Sequence, residues 1–166
     1  FIPKAVLKTV KSSDGLFDLP MIIRYPYGFD STKKYPILFS VYGGPNSSSV
    51  LNRWTLPFGY SQWFSQEGVI VVNVDNRSSG HFGKKGENFI FRRSGKWEIE
   101  DFMACGRWLR SQPWADSTKI AIRGGSFGGY MTCMALTYGA EVFTHGIANY
   151  PVTDWRLYDS HYVERY

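Results

Sequence analysis

The segment that most constrains the fold of this chain spans residues 118–136 and contains the pattern Gly124-Gly125-Ser126-Phe127-Gly128. Residues 120–122 form a short apolar run typical of a buried strand, and the residues from Tyr130 onward are typical of a helix. Glycines on either side of a serine let a strand and a helix cross closely, and such a turn lifts the hydroxyl above the sheet. The bare pattern also occurs in ordinary glycine-rich turns, but the flanking strand and helix favour a nucleophilic Ser126.

Length and composition indicate one globular domain. The chain has 166 residues, of which 43% are hydrophobic, and this is enough for a real core. No apolar run is long enough to span a membrane, and no signal segment opens the chain. Because the chain begins at Phe1 rather than at a methionine, we expect it to be a piece of a longer protein. Cys105 and Cys133 are predicted to be buried free thiols within helices, rather than a disulfide or a metal site.

The net charge of +5 is partly concentrated in one stretch of basic residues, which suggests nucleic acid as one kind of partner: Lys84, Lys85, Arg92, Arg93 and Lys96. Glu87 interrupts this stretch, and several glycines prevent it from forming one helical face. We therefore expect a solvated loop and no binding of nucleic acid.

Strands and helices alternate along most of the sequence. Strands are predicted at residues 4–10, 19–24, 35–42, 69–74, 120–122 and 146–150, and helices at residues 60–67, 97–111, 130–138 and 154–166. The long stretch 75–95 is predicted to be a functional loop or one that packs on its own side chains. The third and fourth strands are apolar almost throughout, which indicates burial on both faces. The alternation from residue 35 onward therefore predicts an α/β fold with a mostly parallel sheet covered by helices.

Ligands of such sheets bind at the carboxyl ends of the strands. Three segments are predicted to meet there: residues 41–44 after the third strand, Ser126 after the fifth, and residues 150–152 after the sixth.

Several motifs together resemble the carboxy-terminal α/β-hydrolase domain of the prolyl oligopeptidase family of serine peptidases, and most of all its dipeptidyl peptidase IV branch. The resemblance covers nearly the whole chain and is carried by residues 41–45, 75–83, 124–130 and 155–166. It implies that residues 1–166 are the amino-terminal portion of an α/β-hydrolase catalytic domain, truncated before the last strands. The β-propeller of the family, and the carboxy-terminal segment with the catalytic acid and histidine, would then be absent.

The resemblance also implies roles for three residues. Ser126 would be the acylated nucleophile, and the Tyr42 hydroxyl and the backbone amide of Phe127 would stabilise the oxyanion. From the residues alone, the lesser alternative for Tyr42 is an aromatic side chain at a strand end that packs on the core.

The family binds a proline-like side chain in a flat aromatic pocket. The matching positions here are Phe127, Val152, Trp155, Tyr158 and Tyr162. A rigid pyrrolidine ring stacks well on aromatic faces. Phe127 departs from the tyrosine that is usual in the dipeptidyl peptidase IV branch. A helix that faces the core would place Trp155, Tyr158 and Tyr162 at the same spacing, so this alternative stays open.

A complete catalytic triad is not predicted within the chain. In α/β-hydrolases the order is serine, acid, histidine. His145 precedes both Asp154 and Asp159, and His161 follows Asp154 on the same predicted helix. These two histidines and His81 are therefore interpreted as surface or packing residues, and residues 1–166 alone are expected to be inactive.

The sequence thus predicts a serine peptidase that cleaves after proline or a small residue and needs no cofactor or metal. The expected partners are a peptide substrate, the β-propeller of the parent protein, and a second copy of the chain along the exposed edge of the sixth strand. The resemblance favours a location outside the cytoplasm. The alternatives are a carboxylesterase-type hydrolase and a non-catalytic interaction domain.

Overall fold

The computed structural model describes residues 3–53 and 59–166. Within these residues the strands form one sheet in the order β1-β2-β4-β3-β5-β6. Their bounds are Ala5–Lys11 for β1, Asp18–Arg24 for β2, Tyr35–Ser40 for β3, Ile70–Val74 for β4, Ala115–Gly125 for β5 and His145–Asn149 for β6. Each predicted strand is confirmed, and the α/β class with it.

The sheet is antiparallel at one edge and parallel elsewhere. β2 pairs antiparallel with both β1 and β4, whereas β3 pairs parallel with β4 and β5, and β5 pairs parallel with β6. Leu19, Met21 and Ile23 alternate with less buried residues along β2, while β4 is buried at nearly every position. The central strands are therefore covered on both faces, and the carboxyl ends of β3, β5 and β6 lie next to one another.

The helices are short except for two. Their bounds are Tyr60–Gln66 for α1, Gly83–Glu87 for α2, Lys96–Arg110 for α3, Phe127–Thr137 for α4 and Ser160–Val163 for α5, with one 3-10 turn at Trp155–Leu157. α3 buries Ile99, Phe102 and Leu109 at helical spacing, and α4 packs against β5 and β6. In the part of the chain that is described, no helix is long and apolar enough to cross a membrane.

The stretch 75–95 includes the short helix α2 and packs partly on its own side chains, as the sequence predicts, and partly against residues outside it. Its core is Arg77, whose side chain is completely buried. The guanidinium donates two hydrogen bonds to Asp101, from Nε at 2.9 Å and from Nη2 at 2.7 Å, and a third to Asp14 at 2.7 Å. It also lies 4.5 to 4.9 Å from the ring centroids of Phe17, Phe89 and Trp97. The basic side chains predicted to be solvated are exposed.

The prediction of one helix over residues 154–166 is wrong. Tyr158 is extended and separates the 3-10 turn from α5. The side chain of Asp154 accepts a hydrogen bond from the backbone N–H of Arg156, and that of Asp159 accepts one from Tyr162. Each aspartate thus begins a separate turn, because a short acidic side chain satisfies backbone donors that a continuous helix would use internally.

The two cysteines differ in burial. Cys105 is a buried free thiol, as predicted, and burial raises its pKa. Cys133 is also a free thiol, but it is only partly buried on α4, so this half of the prediction is wrong.

Candidate active site

Ser126 lies alone between two regular elements. β5 ends at Gly125 and α4 begins at Phe127, and the serine joins them with φ 56° and ψ −120°. Such a backbone conformation is strained for any residue other than glycine and is found mainly at functional sites. The Ser126 amide donates to the carbonyl oxygen of Asn149 at 3.1 Å, which ties the turn to the end of β6. The residue is partly exposed, so its hydroxyl can be reached from the carboxyl edge of the sheet.

Two glycines allow this turn to form. A Cβ atom on Gly124 would lie 2.4 Å from the carbonyl oxygen of Gly128, and one on Gly128 would lie 2.5 Å from the carbonyl oxygen of Val41. Both distances are too short for real Cβ atoms. β5, α4 and the end of β3 therefore approach one another as closely as bare backbone permits.

Tyr42 lies at this same edge, just after β3. Its side chain packs over Gly44, where a Cβ atom would lie only 2.5 Å from the Tyr42 ring. The ring centroid of Tyr42 is 6.2 Å from that of Phe127. With 38% of its surface exposed, Tyr42 is not a core residue, and its Cα would lie 3.1 Å from a Cβ atom on Gly128 in the first turn of α4.

Phe127 lies behind the aromatic cluster rather than on its surface. Only 2% of the residue is exposed, and its ring packs against Tyr42, Tyr130 and Trp155. The part of Phe127 available for chemistry is its backbone amide, which as the first residue of α4 has no partner within the helix.

Trp155, Tyr158 and Tyr162 are brought together although they do not share a helix. The rings of Trp155 and Tyr162 are stacked, with centroids 5.9 Å apart and an angle of 11° between the planes. Tyr158 meets both rings edge-on, at 5.9 Å and 5.5 Å. Burial raises the pKa of the Tyr162 phenol, and the neighbouring phenols add to this effect.

The predicted pocket residues line two separate cavities. Val152 and Tyr158 line an open groove of about 310 Å³ with Tyr150, Pro151, Thr153, Asp154 and Leu157. Trp155 and Tyr162 line a cavity of about 260 Å³ on another side, with Arg92, Arg93, Ser94, Val163 and Tyr166. The stacked pair of rings therefore lines one of these cavities, and Val152 and Tyr158 line the other.

Tyr130 supports this cluster, and the sequence analysis missed it. Its ring lies 5.6 Å from Phe127 and 5.1 Å from Trp155, both edge-on, and its hydroxyl donates to the carbonyl oxygen of Ser94 at 3.2 Å. The sequence did indicate that Tyr130 lies near the site, because it follows Ser126 by one helical turn.

Glu98 is the second missed residue. It is completely buried in the first turn of α3, and its Oε2 accepts a hydrogen bond from the Gly95 amide at 3.1 Å. Its Oε1 has no hydrogen-bond partner among residues 3–53 and 59–166. Burial raises the pKa of the carboxyl to about 7. An acidic residue at a helix start is normally solvated, so the sequence carries no signal of this burial.

The histidines lie apart from the serine hydroxyl. His81 Nε2 lies 2.8 Å from Asp75 Oδ2, and the same carboxylate accepts hydrogen bonds from Ser49 and Val50. His145 Nδ1 pairs with the Thr144 hydroxyl at 2.8 Å. Over the described ranges, no histidine forms a hydrogen bond with the Ser126 hydroxyl.

A mostly parallel sheet that carries a strained serine turn between a strand and a helix defines the α/β-hydrolase fold. The prolyl oligopeptidase family matches the chain over residues 54–166. The chain therefore belongs to this family of serine peptidases.

Individual relatives agree with this assignment. The chain is 44% identical, over 92% of its length, to a protein of Ajellomyces dermatitidis named "Probable dipeptidyl-aminopeptidase B". Two crystal structures superpose on 99% of the chain: a Bacteroides ovatus protein named as a dipeptidyl aminopeptidase IV, with 38% identity and a TM-score of 0.95, and Porphyromonas gingivalis dipeptidyl peptidase 4, with 34% identity and a TM-score of 0.93. The chain spans 17% of the length of the Ajellomyces relative and 24% and 23% of the two crystallised chains.

Proposed function

We propose that the complete product of the gene encoding this chain, called the full-length protein below, is a serine peptidase that forms an acyl-enzyme on Ser126. The observation that supports this most strongly is the strained, partly exposed position of Ser126 between β5 and the first amide of α4. A strained serine in an ordinary surface turn would gain nothing from its conformation, whereas a nucleophile gains access and orientation.

The reaction that we propose forms a negatively charged oxygen in its tetrahedral intermediate, and this charge has to be stabilised. Ser126 Oγ attacks the carbonyl carbon of the scissile peptide bond, and a general base takes the hydroxyl proton. The tetrahedral intermediate carries an oxyanion, which accepts hydrogen bonds from the Phe127 amide and the Tyr42 hydroxyl. As the intermediate collapses, the base returns the proton to the leaving nitrogen, the C–N bond breaks and a free amine departs. Water then hydrolyses the ester, which releases the carboxylic acid and restores the Ser126 hydroxyl.

The substrate specificity that we propose is cleavage after proline or a small residue. This proposal is supported by the ring contacts of Trp155 with Tyr158 and Tyr162, by Phe127, which packs against Trp155, and by Val152, which lines a groove with Tyr158. A pyrrolidine ring matches such faces and loses little conformational entropy on binding. The names of the relatives point to the release of dipeptides, and we propose the same class of substrate for the full-length protein.

The general base and its acid partner are proposed to come from outside residues 1–166. On this proposal the chain is the amino-terminal portion of the catalytic domain, without the carboxy-terminal triad segment and without a β-propeller. We expect residues 1–166 alone to hydrolyse no peptide at a measurable rate, because loss of triad members costs about 10⁶-fold in kcat.

The test compares the full-length protein, its Ser126→Ala variant and residues 1–166 on Gly-Pro and Ala-Pro chromogenic substrates. We expect turnover by the full-length protein alone. Hydrolysis of short acyl esters without hydrolysis of Xaa-Pro substrates would instead identify a carboxylesterase. Absence of both activities, together with an unreactive Ser126, would identify a non-catalytic domain.

A further inference from the structure

An exposed aromatic residue, Tyr150, lies beside the nucleophile turn and has no role in the mechanism above. It directly follows Asn149, whose carbonyl oxygen accepts the hydrogen bond from the Ser126 amide at 3.1 Å. Although its ring is large, 80% of the residue is exposed. Burial in the core therefore does not explain why a tyrosine occupies this position.

The backbone of Tyr150 is strained. Its φ of 38° lies in the left-handed region, which glycine and asparagine adopt more readily than a bulky aromatic residue. Strained residues persist where the surrounding structure holds them, and they are concentrated at functional sites. Tyr150 and Ser126 both have this conformation, and the hydrogen bond from the Ser126 amide to Asn149 connects the segments that carry them.

The ring of Tyr150 lies over Gly125, the residue immediately before the nucleophile. A Cβ atom on Gly125 would lie 2.6 Å from the phenol oxygen and 2.8 Å from Cζ of Tyr150. The tyrosine thus fills the space that a side chain before Ser126 would need. Of the two neighbours of Ser126 in the chain, Phe127 packs into the aromatic cluster and Gly125 is covered by Tyr150.

Tyr150 also forms one end of the groove of about 310 Å³ described above. Leu157, which is 87% exposed, and Tyr158 line the same groove. The charged residue in its lining, Asp154, is already paired with Arg156 at 2.6 Å. Val152 and Tyr158, two residues of the proposed proline pocket, line the groove as well, and most of its lining is apolar.

We infer that Tyr150 is a substrate-contacting residue that, with Leu157, binds a large apolar or aromatic side chain on the leaving-group side of the scissile bond. The inference rests on the proposed function. On the proposed function, the Phe127 amide and Tyr42 hold the oxyanion, and Trp155 and Tyr162 hold the proline ring. The Gly125 side, which Tyr150 covers, is then left for the departing residue. A flat ring held over glycine offers one face to a peptide side chain.

The test uses the full-length protein and two series of peptides, Ala-Pro-Xaa-Ala and Xaa-Pro-Ala-Ala, in which Xaa is phenylalanine or glycine. We expect Tyr150→Ala to lower the ratio of kcat/KM for phenylalanine over glycine by about threefold to tenfold in the first series only, the size of one lost aromatic contact. Tyr150→Phe should keep the ratio within about twofold, because the ring remains. Leu157→Ala should also lower this ratio. Because the backbone of Leu157 is not strained, this result would not depend on the strain at residue 150.

Tyr138→Ala is the matched control, since Tyr138 is 69% exposed at the opposite end of α4 and should leave the ratio unchanged. A full-length protein that cleaves Xaa-Pro peptides with the same ratio in Tyr150→Ala as in the wild type would overturn the inference and leave the proposed function intact. A change confined to the second series would also overturn it. Absence of both peptide cleavage and Ser126 labelling would remove the proposed function and the inference together.

Discussion

Tyr42 lies beside Phe127, with ring centroids 6.2 Å apart, although the two residues belong to different elements. Tyr42 follows β3 and Phe127 begins α4, and the parallel pairing of β3 with β5 brings both to the carboxyl edge of the sheet. A phenol and an unpaired helix amide therefore border the same serine turn. We propose that both groups donate hydrogen bonds to the oxyanion.

Removal of the Tyr42 hydroxyl tests the role proposed for it. We expect Tyr42→Phe to lower kcat of the full-length protein by about 10²- to 10³-fold, because the donor acts on charge that develops only in the transition state. KM for a Gly-Pro substrate should change by less than about threefold. Steady-state kinetics with Tyr138→Phe as control would check this, and an unchanged kcat would exclude Tyr42 from the oxyanion site.

The buried ion pair between Arg77 and Asp101 should dominate the stability of residues 75–95. We expect Asp101→Asn to reduce the free energy of unfolding by about 3–5 kcal/mol, because it leaves the buried guanidinium without its main counter-ion. The exposed pair of Lys11 and Asp18, at 2.9 Å, provides the contrast, since Asp18→Asn should cost less than about 1 kcal/mol. Urea unfolding of the three proteins measures both values. Equal losses of unfolding free energy for the two variants would contradict the claim that burial makes the Arg77–Asp101 pair more important than an exposed pair.

Glu98 should make the stability depend on pH. Its pKa is 4.5 when solvated and about 7 in the fold, so the fold favours the neutral carboxyl. The corresponding stabilisation is complete below about pH 4.5 and is lost as the pH rises through about 7. Between pH 4.5 and pH 8 the wild type should therefore lose stability that Glu98→Gln keeps. The difference between their free energies of unfolding should change by on the order of 3 kcal/mol in favour of the variant. Glu100→Gln, on the same helix, is the control. A difference in unfolding free energy that does not change with pH would contradict the burial of the Glu98 carboxyl group.

The exposed edge of β6 should support self-association. Among the described strands, β6 pairs only with β5, and its residues His145–Asn149 are largely exposed. We propose that a second copy of the chain covers this edge, because unpaired backbone groups there favour strand addition. Sedimentation velocity of residues 1–166 should show a dimer or larger species at high concentration, and Ile147→Lys should weaken it. A monomer for both proteins would contradict this proposal.

The parts of the fold that follow from local pattern were predictable. The buried runs of β3 and β4 are apolar nearly throughout, and the glycine pattern around Ser126 has one physical interpretation once a strand precedes it and a helix follows. Both the family resemblance and the helical spacing grouped Trp155 with Tyr162, and the two rings do contact each other although no single helix carries them.

The failures have two causes, which are local hydrogen bonds from side chains to the backbone and tertiary contacts that outweigh local preference. The side chains of Asp154 and Asp159 divide a segment whose aromatic spacing fits a helix. The burial of Glu98 depends on neighbours from distant parts of the chain, and so does the packing of Tyr150 on Gly125. Periodicity within a single segment contains no information about these contacts.

The most direct test of the central claim is covalent labelling of the full-length protein with a fluorophosphonate, followed by mass spectrometry of the labelled peptide. A nucleophilic Ser126 predicts one adduct per chain, on Ser126, and complete loss of labelling in Ser126→Ala. An unlabelled protein that cleaves Xaa-Pro peptides, or an adduct on another serine, would contradict the assignment of Ser126 as the nucleophile.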